Sequence, residues 1–307
     1  MQVLFRTRKG SFVGLEIPKR VRRVLFGGLL AGTTLVLSGC SSERIDQIKR
    51  FALPVPSSKE AWGIYDLWHW AWVAALLTGL LVWGLMFYVW IAFRRRRADE
   101  IPVQTRYNLP IEIFYTIAPI VMVIVFFFFT VQTQEKVDHD IKNPDHTVWV
   151  VGEQWSWTFN YQKEAAIGGK TVYDAGTTAH RPTLWLVKGQ TVEFHLYSPD
   201  VIHSFWVPNF LFKKDVVPGR DNTFGITPTR YGTFKGRCAE LCGVYHSRML
   251  FNVKVVNEQQ FDAHLRALQK AGNTGLNLGS KSANTVAGLG KTDQAYQGNN
   301  SYQGGAQ

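Results

Sequence analysis

The sequence predicts a membrane-anchored all-β protein: a two-helix transmembrane hairpin, then a β-sandwich, then a short C-terminal helix and a disordered tail. Three observations carry this. Residues 67–93 and 113–134 contain no Asp, Glu, Lys or Arg, and each is long enough to cross a bilayer. After them the apolar residues change period, to short alternating segments separated by Gly, Pro, Asn and Asp. Residues 271–307 are dominated by Gly, Asn, Gln, Ser and Ala with no periodicity, a composition that cannot bury a core. A length of 307 residues allows roughly two domains. A mean hydropathy of -0.07 averages apolar blocks with polar ones. Collagen-like, wholly disordered and disulfide-stapled classes are excluded by the composition.

Charge is unevenly placed. Of a net +11, residues 1–39 hold seven Lys and Arg against Glu16 alone. That asymmetry argues against a nucleic-acid partner, because the charge is not spread over one binding face. Lys19-Arg20-Val21-Arg22-Arg23 precedes an uncharged run at 24–37 and then Leu37-Ser38-Gly39-Cys40. Basic, apolar and small residues in that order predict a secretory signal over residues 1–39. Its ending resembles a bacterial lipobox, which implies that Cys40 becomes a lipid-bearing first residue. An extracytoplasmic segment would follow over residues 40–66.

The spans are expected at 67–93 and 112–133, joined by a loop over 94–111. Arg94-Arg95-Arg96-Arg97 marks that loop as cytoplasmic. Both outer ends of the hairpin then face outward, and a lipid on Cys40 agrees with that orientation. Pro119 is tolerable in a membrane helix packed on neighbours. Six of the eleven Trp lie between Trp62 and Trp90, as an interfacial belt requires. The expected location is the bacterial cell membrane, multi-pass, with the C-terminal domain extracytoplasmic.

Within the outer domain, 134–257, strands are expected at 147–151, 155–161, 183–187, 191–197, 203–207, 222–227, 232–237 and 249–256. Residues 163–182, rich in Gly, Thr and Ala, read as an excursion between strands. Asn257 can cap a helix over 258–270, in which Phe261, Leu265 and Leu268 share a face.

Chemistry concentrates in Cys238-Ala239-Glu240-Leu241-Cys242-Gly243-Val244-Tyr245-His246-Ser247-Arg248-Met249. Two thiols, an imidazole and a thioether on one loop form a soft-ligand set suited to copper. A Cys238–Cys242 disulfide and a tetrahedral zinc site are the alternatives, although zinc gains little from Met. A further ligand would come from an upstream strand: His139, His146, His180, His195, His203 and His264 are available. His203, directly after the Ser198-Pro199-Asp200 turn, can reach a loop at the same end of the sandwich.

His203 with the C-x-E-x-C-x₃-H-x₂-M loop resembles the binuclear copper A site of cytochrome c oxidase subunit II. The likeness extends over residues 61–270 and includes Gly152-Glu153-Gln154-Trp155-Ser156-Trp157 and Asp200-Val201-Ile202-His203-Ser204-Phe205. It implies a cupredoxin-like sandwich carrying two copper ions. By the resemblance, Cys238 and Cys242 bridge both ions, His203 and Met249 complete one, and His246 and the Glu240 carbonyl complete the other. The Glu240 side chain would reach a Mg or Mn ion shared with subunit I. Trp155 resembles the aromatic residue that accepts electrons from a c-type cytochrome, while Trp157 suits core packing; Ser156 departs from the aromatic often found between them. Glu112, in Glu-Ile-Phe-Tyr-Thr-Ile-Ala-Pro, resembles the Glu at the mouth of the K proton channel of subunit I.

The activity implied is electron transfer from the cytochrome to haem a of subunit I, where oxygen reduction and proton pumping occur. Subunits I and III and membrane lipid are the expected partners, and a quinol-cytochrome c reductase supercomplex is a candidate source of the donor. With no C-x-x-C-H in the sequence, no haem is expected in this chain. A membrane-tethered copper chaperone or assembly lipoprotein is the alternative, since such proteins also pair C-x-x-x-C with a distant His; they lack a His and Met at the spacing of His246 and Met249. Beyond residue 130 the balance is 18 basic against 15 acidic residues, which suggests a donor that is tethered or acidic rather than soluble and basic.

Overall fold

The computed structural model describes residues 3–6, 12–15, 28, 42–95, 97, 99, 101 and 104–279. The chain divides into two units, Met1–Ala52 and Leu53–Gln307. In the first, strands β1 (Val3–Arg6) and β2 (Phe12–Leu15) pair antiparallel, and helix α1 spans Ser42–Lys49. Cys40, and all of the expected apolar signal run except Gly28, lie outside the described residues.

The second unit opens with two helices long and apolar enough to cross a membrane, α2 (Ala61–Ala92) and α3 (Leu109–Val137). Both exceed the expected spans because their ends are capped by polar groups outside the apolar runs. The Ser58 hydroxyl accepts the Ala61 N–H at 3.2 Å, so α2 begins ahead of residue 67. At α3 the Asn108 side chain accepts the Ile111 N–H at 3.4 Å, and the Glu112 carboxylate accepts the Asn108 N–H at 2.8 Å. These reciprocal bonds resemble a capping box, and Pro110 in the first turn costs no needed donor. Leu80, Trp90 and Phe127 are exposed on these helices, surface that only lipid or another chain could cover.

The N-terminal end of α2 and the C-terminal end of α3 are fastened to a sandwich. Ser57 N–H donates to the Asn209 carbonyl at 2.8 Å, and Lys59 N–H to that of Thr227 at 2.9 Å. Beyond α3, Lys214 pairs with Asp138, and Ile141 N–H donates to Glu193 at 3.1 Å.

Ten strands build the sandwich: β3 (His146–Glu153), β4 (Ser156–Glu164), β5 (Lys170–Ala175), β6 (Thr183–Val187), β7 (Val192–Tyr197), β8 (His203–Val207), β9 (Phe212–Val216), β10 (Asn222–Ile226), β11 (Gly232–Cys238) and β12 (Leu250–Val256). One sheet has the order β10-β7-β3-β4-β5 and the other β6-β12-β11-β8-β9. Pairs β3–β7 and β6–β12 are parallel, and the rest antiparallel. Alternation along β4 sends Trp157, Phe159 and Tyr161 into the core and Ser156, Thr158 and Asn160 to the other face. Trp157 of β4 meets Phe251 of β12 edge-on at 5.3 Å, and Phe194 of β7 meets Phe205 of β8 at 5.7 Å, joining the two sheets. Helix α4 (Glu258–Lys270), capped by Asn257, buries Phe261 and Leu265 against this core.

Three expectations need correction. The excursion at 163–182 contains β5, whose polar residues hide its alternation. Strand β9 was not expected, because Lys213, Lys214 and Asp215 mask its pattern. Residues 271–279, expected to be disordered, are bonded to the sandwich: Tyr173 N–H donates to the Asn273 carbonyl at 3.1 Å, and Gly275 N–H to that of Thr171 at 2.9 Å.

Candidate metal centre

Strands β8 and β11 pair antiparallel, with Cys238 opposite Phe205. The pairing brings His203, which opens β8, beside Cys238, which closes β11. Between β11 and β12 the chain makes a loop whose ends are joined by the Cys238 N–H to Met249 carbonyl bond at 3.0 Å. Within it a single 3-10 turn over His246–Arg248 returns His246 and Met249 toward the thiols.

The donors converge. Nδ1 of His203 lies 3.9 Å from the Cys238 sulfur, and the two cysteine sulfurs are 3.9 Å apart. His246 Nδ1 approaches the Cys242 sulfur to 3.6 Å, and the Met249 sulfur approaches it to 3.7 Å. The Glu240 carbonyl accepts from the Cys238 thiol at 3.2 Å. Ligand atoms of His203, Cys238 and Cys242 all lie within 4.8 Å of one another. A disulfide needs sulfurs about 2 Å apart, so both cysteines are free thiols here. His203 and Met249 are wholly buried, and both cysteines are nearly so. Unpaired soft donors gathered in a dry site at this spacing fit a thiolate-bridged metal.

Electrostatics favour thiolate. Burial alone would lower the His203 pKa, but Asp200 and the two thiols outweigh it and hold it at about 11. Burial raises the Cys238 thiol, yet His203 and the backbone around Ser204 and Glu240 bring it down to about 7. Asp200 orients the imidazole: its carboxylate meets His203 Nε2 at 2.9 Å, leaving Nδ1 to face the sulfurs. It is itself held by the Gln154 N–H at 2.6 Å, the Val201 N–H at 2.6 Å and the Ser198 hydroxyl at 3.1 Å. Such outer contacts fix ligand direction.

The turn between β3 and β4 covers the loop. Gln154 Nε2 and Trp155 Nε1 both donate to the Cys242 carbonyl, at 2.7 Å and 3.2 Å. Trp155 is half-buried and meets Tyr245 edge-on at 5.0 Å. Gly243, at φ +123, lets the loop pass beneath it: a Cβ there would lie 3.1 Å from the indole. Trp157 is fully buried and donates to the Met249 carbonyl at 3.3 Å. The Leu241, Val244 and Tyr245 side chains are exposed around this end of the domain.

Residues 146–256 match the family described as cytochrome C oxidase subunit II, periplasmic domain. The chain is 48% identical to the probable cytochrome c oxidase subunit 2 of Streptomyces avermitilis, covering 84% of this chain and 91% of that protein. This chain belongs to the cytochrome c oxidase subunit II family. Cytochrome c oxidase subunit 2 of Corynebacterium diphtheriae is 36% identical, over 80% of this chain and 84% of its own length. Among solved structures, the periplasmic domain of subunit II of cytochrome oxidase of Bradyrhizobium japonicum is 26% identical with a TM-score of 0.38, covering 43% of this chain and 99% of that one. As a subunit II, the chain is part of a haem-copper oxidase, and its sandwich is the family's cupredoxin-like domain behind two membrane-spanning candidates.

Of the site residues expected from sequence, His203, Cys238, Cys242, His246, Met249 and the Glu240 carbonyl are brought together, with Trp155 over the same loop. The Glu240 side chain is exposed. Glu112 lies at the far end of α3, bonded to Asn108. The other candidate histidines are elsewhere: His146 binds Glu164 at 3.0 Å, His195 binds Asp221 at 2.9 Å, and His264 stacks on Trp185 at 4.4 Å. Sequence reasoning missed Asp200 and Gln154. Asp200 enters the sequence reading only as a turn residue and as part of the segment around His203, with no role of its own, and its place three residues before His203 is the available signal.

Proposed function

We propose that this chain accepts electrons one at a time from a c-type cytochrome and passes them to haem a in subunit I, which uses them to reduce oxygen to water coupled to proton pumping. The convergence of two buried free thiols with His203, His246 and Met249 carries this reading. Cys238 and Cys242 would hold two copper ions between them, with His203, Met249, His246 and the Glu240 carbonyl completing the ligands. When bound, the pair supplies a one-electron couple in which charge is shared over two metals. The protein's part is to hold soft donors for Cu(I) and imidazoles for Cu(II) in one arrangement. Asp200 accepts the Nε2 proton of His203 and directs Nδ1 at the sulfurs, where the proton that the raised pKa otherwise keeps on Nδ1 would have to give way to copper. Burial of His203 and Met249 excludes water, and the Gln154 and Trp155 bonds to the Cys242 carbonyl restrain the loop.

Trp155, packed on Tyr245 at the exposed rim, is the proposed point at which electrons arrive. The Glu240 carboxylate, free of the thiols, would serve a Mg or Mn ion at the boundary with subunit I. Glu112 is proposed as the mouth of the K proton channel, alongside its helix-capping bond. Residues 1–39 are proposed to be a lipoprotein signal cleaved before a lipidated Cys40, with both hairpin ends and the domain outside. Subunit III and a tethered or acidic donor, in a quinol-cytochrome c reductase supercomplex, complete the proposed assembly. A copper chaperone is not favoured, because His246 and Met249 close the loop on the thiols.

The test uses the assembled oxidase. Removing copper, or introducing Cys238→Ser or His203→Ala, is expected to abolish oxidation of reduced cytochrome c; undiminished oxidation by either variant would contradict the reading.

A further inference from the structure

The outer face of the β10-β7-β3-β4-β5 sheet carries a short length of the chain's own C-terminal region. After α4 the chain turns at Gly272 and bridges Thr274 antiparallel to Val172 of β5. It then reaches Asn160, a fully buried polar residue at the middle of β4. Asn160 Oδ1 accepts the Asn277 N–H at 2.7 Å, and Asn160 Nδ2 donates to the Asn277 carbonyl at 2.9 Å. These two bonds satisfy a side-chain amide as another strand would, and they fix residue 277 in register with β4.

Two residues later the chain is at the metal end of the domain. Gly279 N–H donates to Asn277 Oδ1 at 3.0 Å. Gly279 has φ +93, and a Cβ there would lie 2.7 Å from Glu153 Oε2 and 3.3 Å from Pro199. Each neighbour leads into the site. Glu153 precedes Gln154 and Trp155, which bond the Cys242 carbonyl. Pro199 precedes Asp200, which orients His203.

We propose that residues 271–279 are a strap that positions the β3–β4 turn, and through it Gln154 and Trp155, for electron acceptance. Asn277 and Gly279 are positioning residues, acting through Glu153 and Pro199 without touching the metal ligands. The inference rests on the proposed role of Trp155. A strap that only adds stability would change melting; one that aligns the rim changes how well a donor is met, which appears in KM while saturated turnover persists.

The experiment compares assembled oxidases whose chain ends after Gly279 or after Lys270, together with Asn277→Ala in the full chain. Each is assayed with ascorbate-reduced soluble cytochrome c, and copper content and the copper electron paramagnetic resonance spectrum are recorded. Ending after Gly279 is expected to leave KM and kcat unchanged. Ending after Lys270 is expected to raise KM about fivefold, and Asn277→Ala about twofold, with kcat and copper content retained. An unchanged KM in both strap variants, or a loss of activity that tracks loss of copper, would overturn the proposal. Cys238→Ser in the same assay separates the two ideas: its continued activity would overturn the electron-accepting role itself, whereas an inactive Cys238→Ser beside an unchanged KM would overturn the strap alone.

Discussion

His203 and His195 sit in opposite sheets of one sandwich, and each is bonded to a carboxylate at 2.9 Å. What differs is the second nitrogen. In His203 it faces two thiols in a fully buried site, whereas in His195 it meets Glu193 at 3.4 Å, with Trp149 stacked on the ring at 5.1 Å. A carboxylate partner therefore does not make a histidine a ligand; it orients a ring, and the chemistry depends on what the free side then faces. His203 faces metal donors, while His195 stands where the chain leaves α3, beside Asp221, Glu193 and Asp140.

The strongest way to break this contrast is to exchange the consequences. Cys238→Ser or His203→Ala is expected to eliminate the copper centre and reduce donor oxidation by about a thousandfold or more, whereas His195→Ala should leave copper content untouched. Next in size is Asp200→Asn, which keeps the shape but weakens the charge-assisted bond to His203. Copper affinity should fall by about 10- to 100-fold, measured by competition with a chelator, and an unaltered affinity would remove the orienting role. Trp155→Leu should slow electron uptake from reduced cytochrome by about tenfold while copper stays bound, measured by stopped-flow absorbance.

The smallest effects concern stability and pH. Burial alone would lower the His195 pKa, but its bond to Asp221 and the charges of Glu193 and Asp140 outweigh this and raise it above its ordinary value. A raised folded-state pKa makes the stabilisation complete below about pH 6.5 and removes it as pH rises through the folded value. Thermal melting of His195→Ala should differ most from the parent in mildly acidic buffer, by about 1–2 kcal/mol, and converge with it at higher pH. His264 provides the opposite sign. Burial, with Lys254 nearby, holds it down at about 4, so stability should fall as pH drops from about 6.5 toward that value, and His264→Phe should reduce the loss.

Much of this was legible in the sequence because the ligand loop is local. Cys238, Cys242, His246 and Met249 need only one turn to converge, so spacing along the chain approximates spacing in space. His203 was legible through its neighbours, a turn followed by alternating apolar residues. Gln154 was not, since its role depends on the close approach of the β3–β4 turn to the metal loop across the sandwich, and Asp200, although only three residues from His203, gives no sign in sequence of which way its carboxylate turns. Strands β5 and β9 were hidden for a related reason: each is an edge strand, so Lys and Asp on the outer face cost nothing and erase the pattern. The strap at 271–279 was illegible because its two leucines, Leu276 and Leu278, sit among Gly and Asn, and it is held by backbone bonds and one asparagine pair.

Electron paramagnetic resonance of the copper-loaded, partly oxidised protein decides whether the two thiols share two copper ions. The hyperfine pattern of one electron shared equally by two copper nuclei, from a purple sample, is the predicted result; the pattern of a single isolated copper would contradict it.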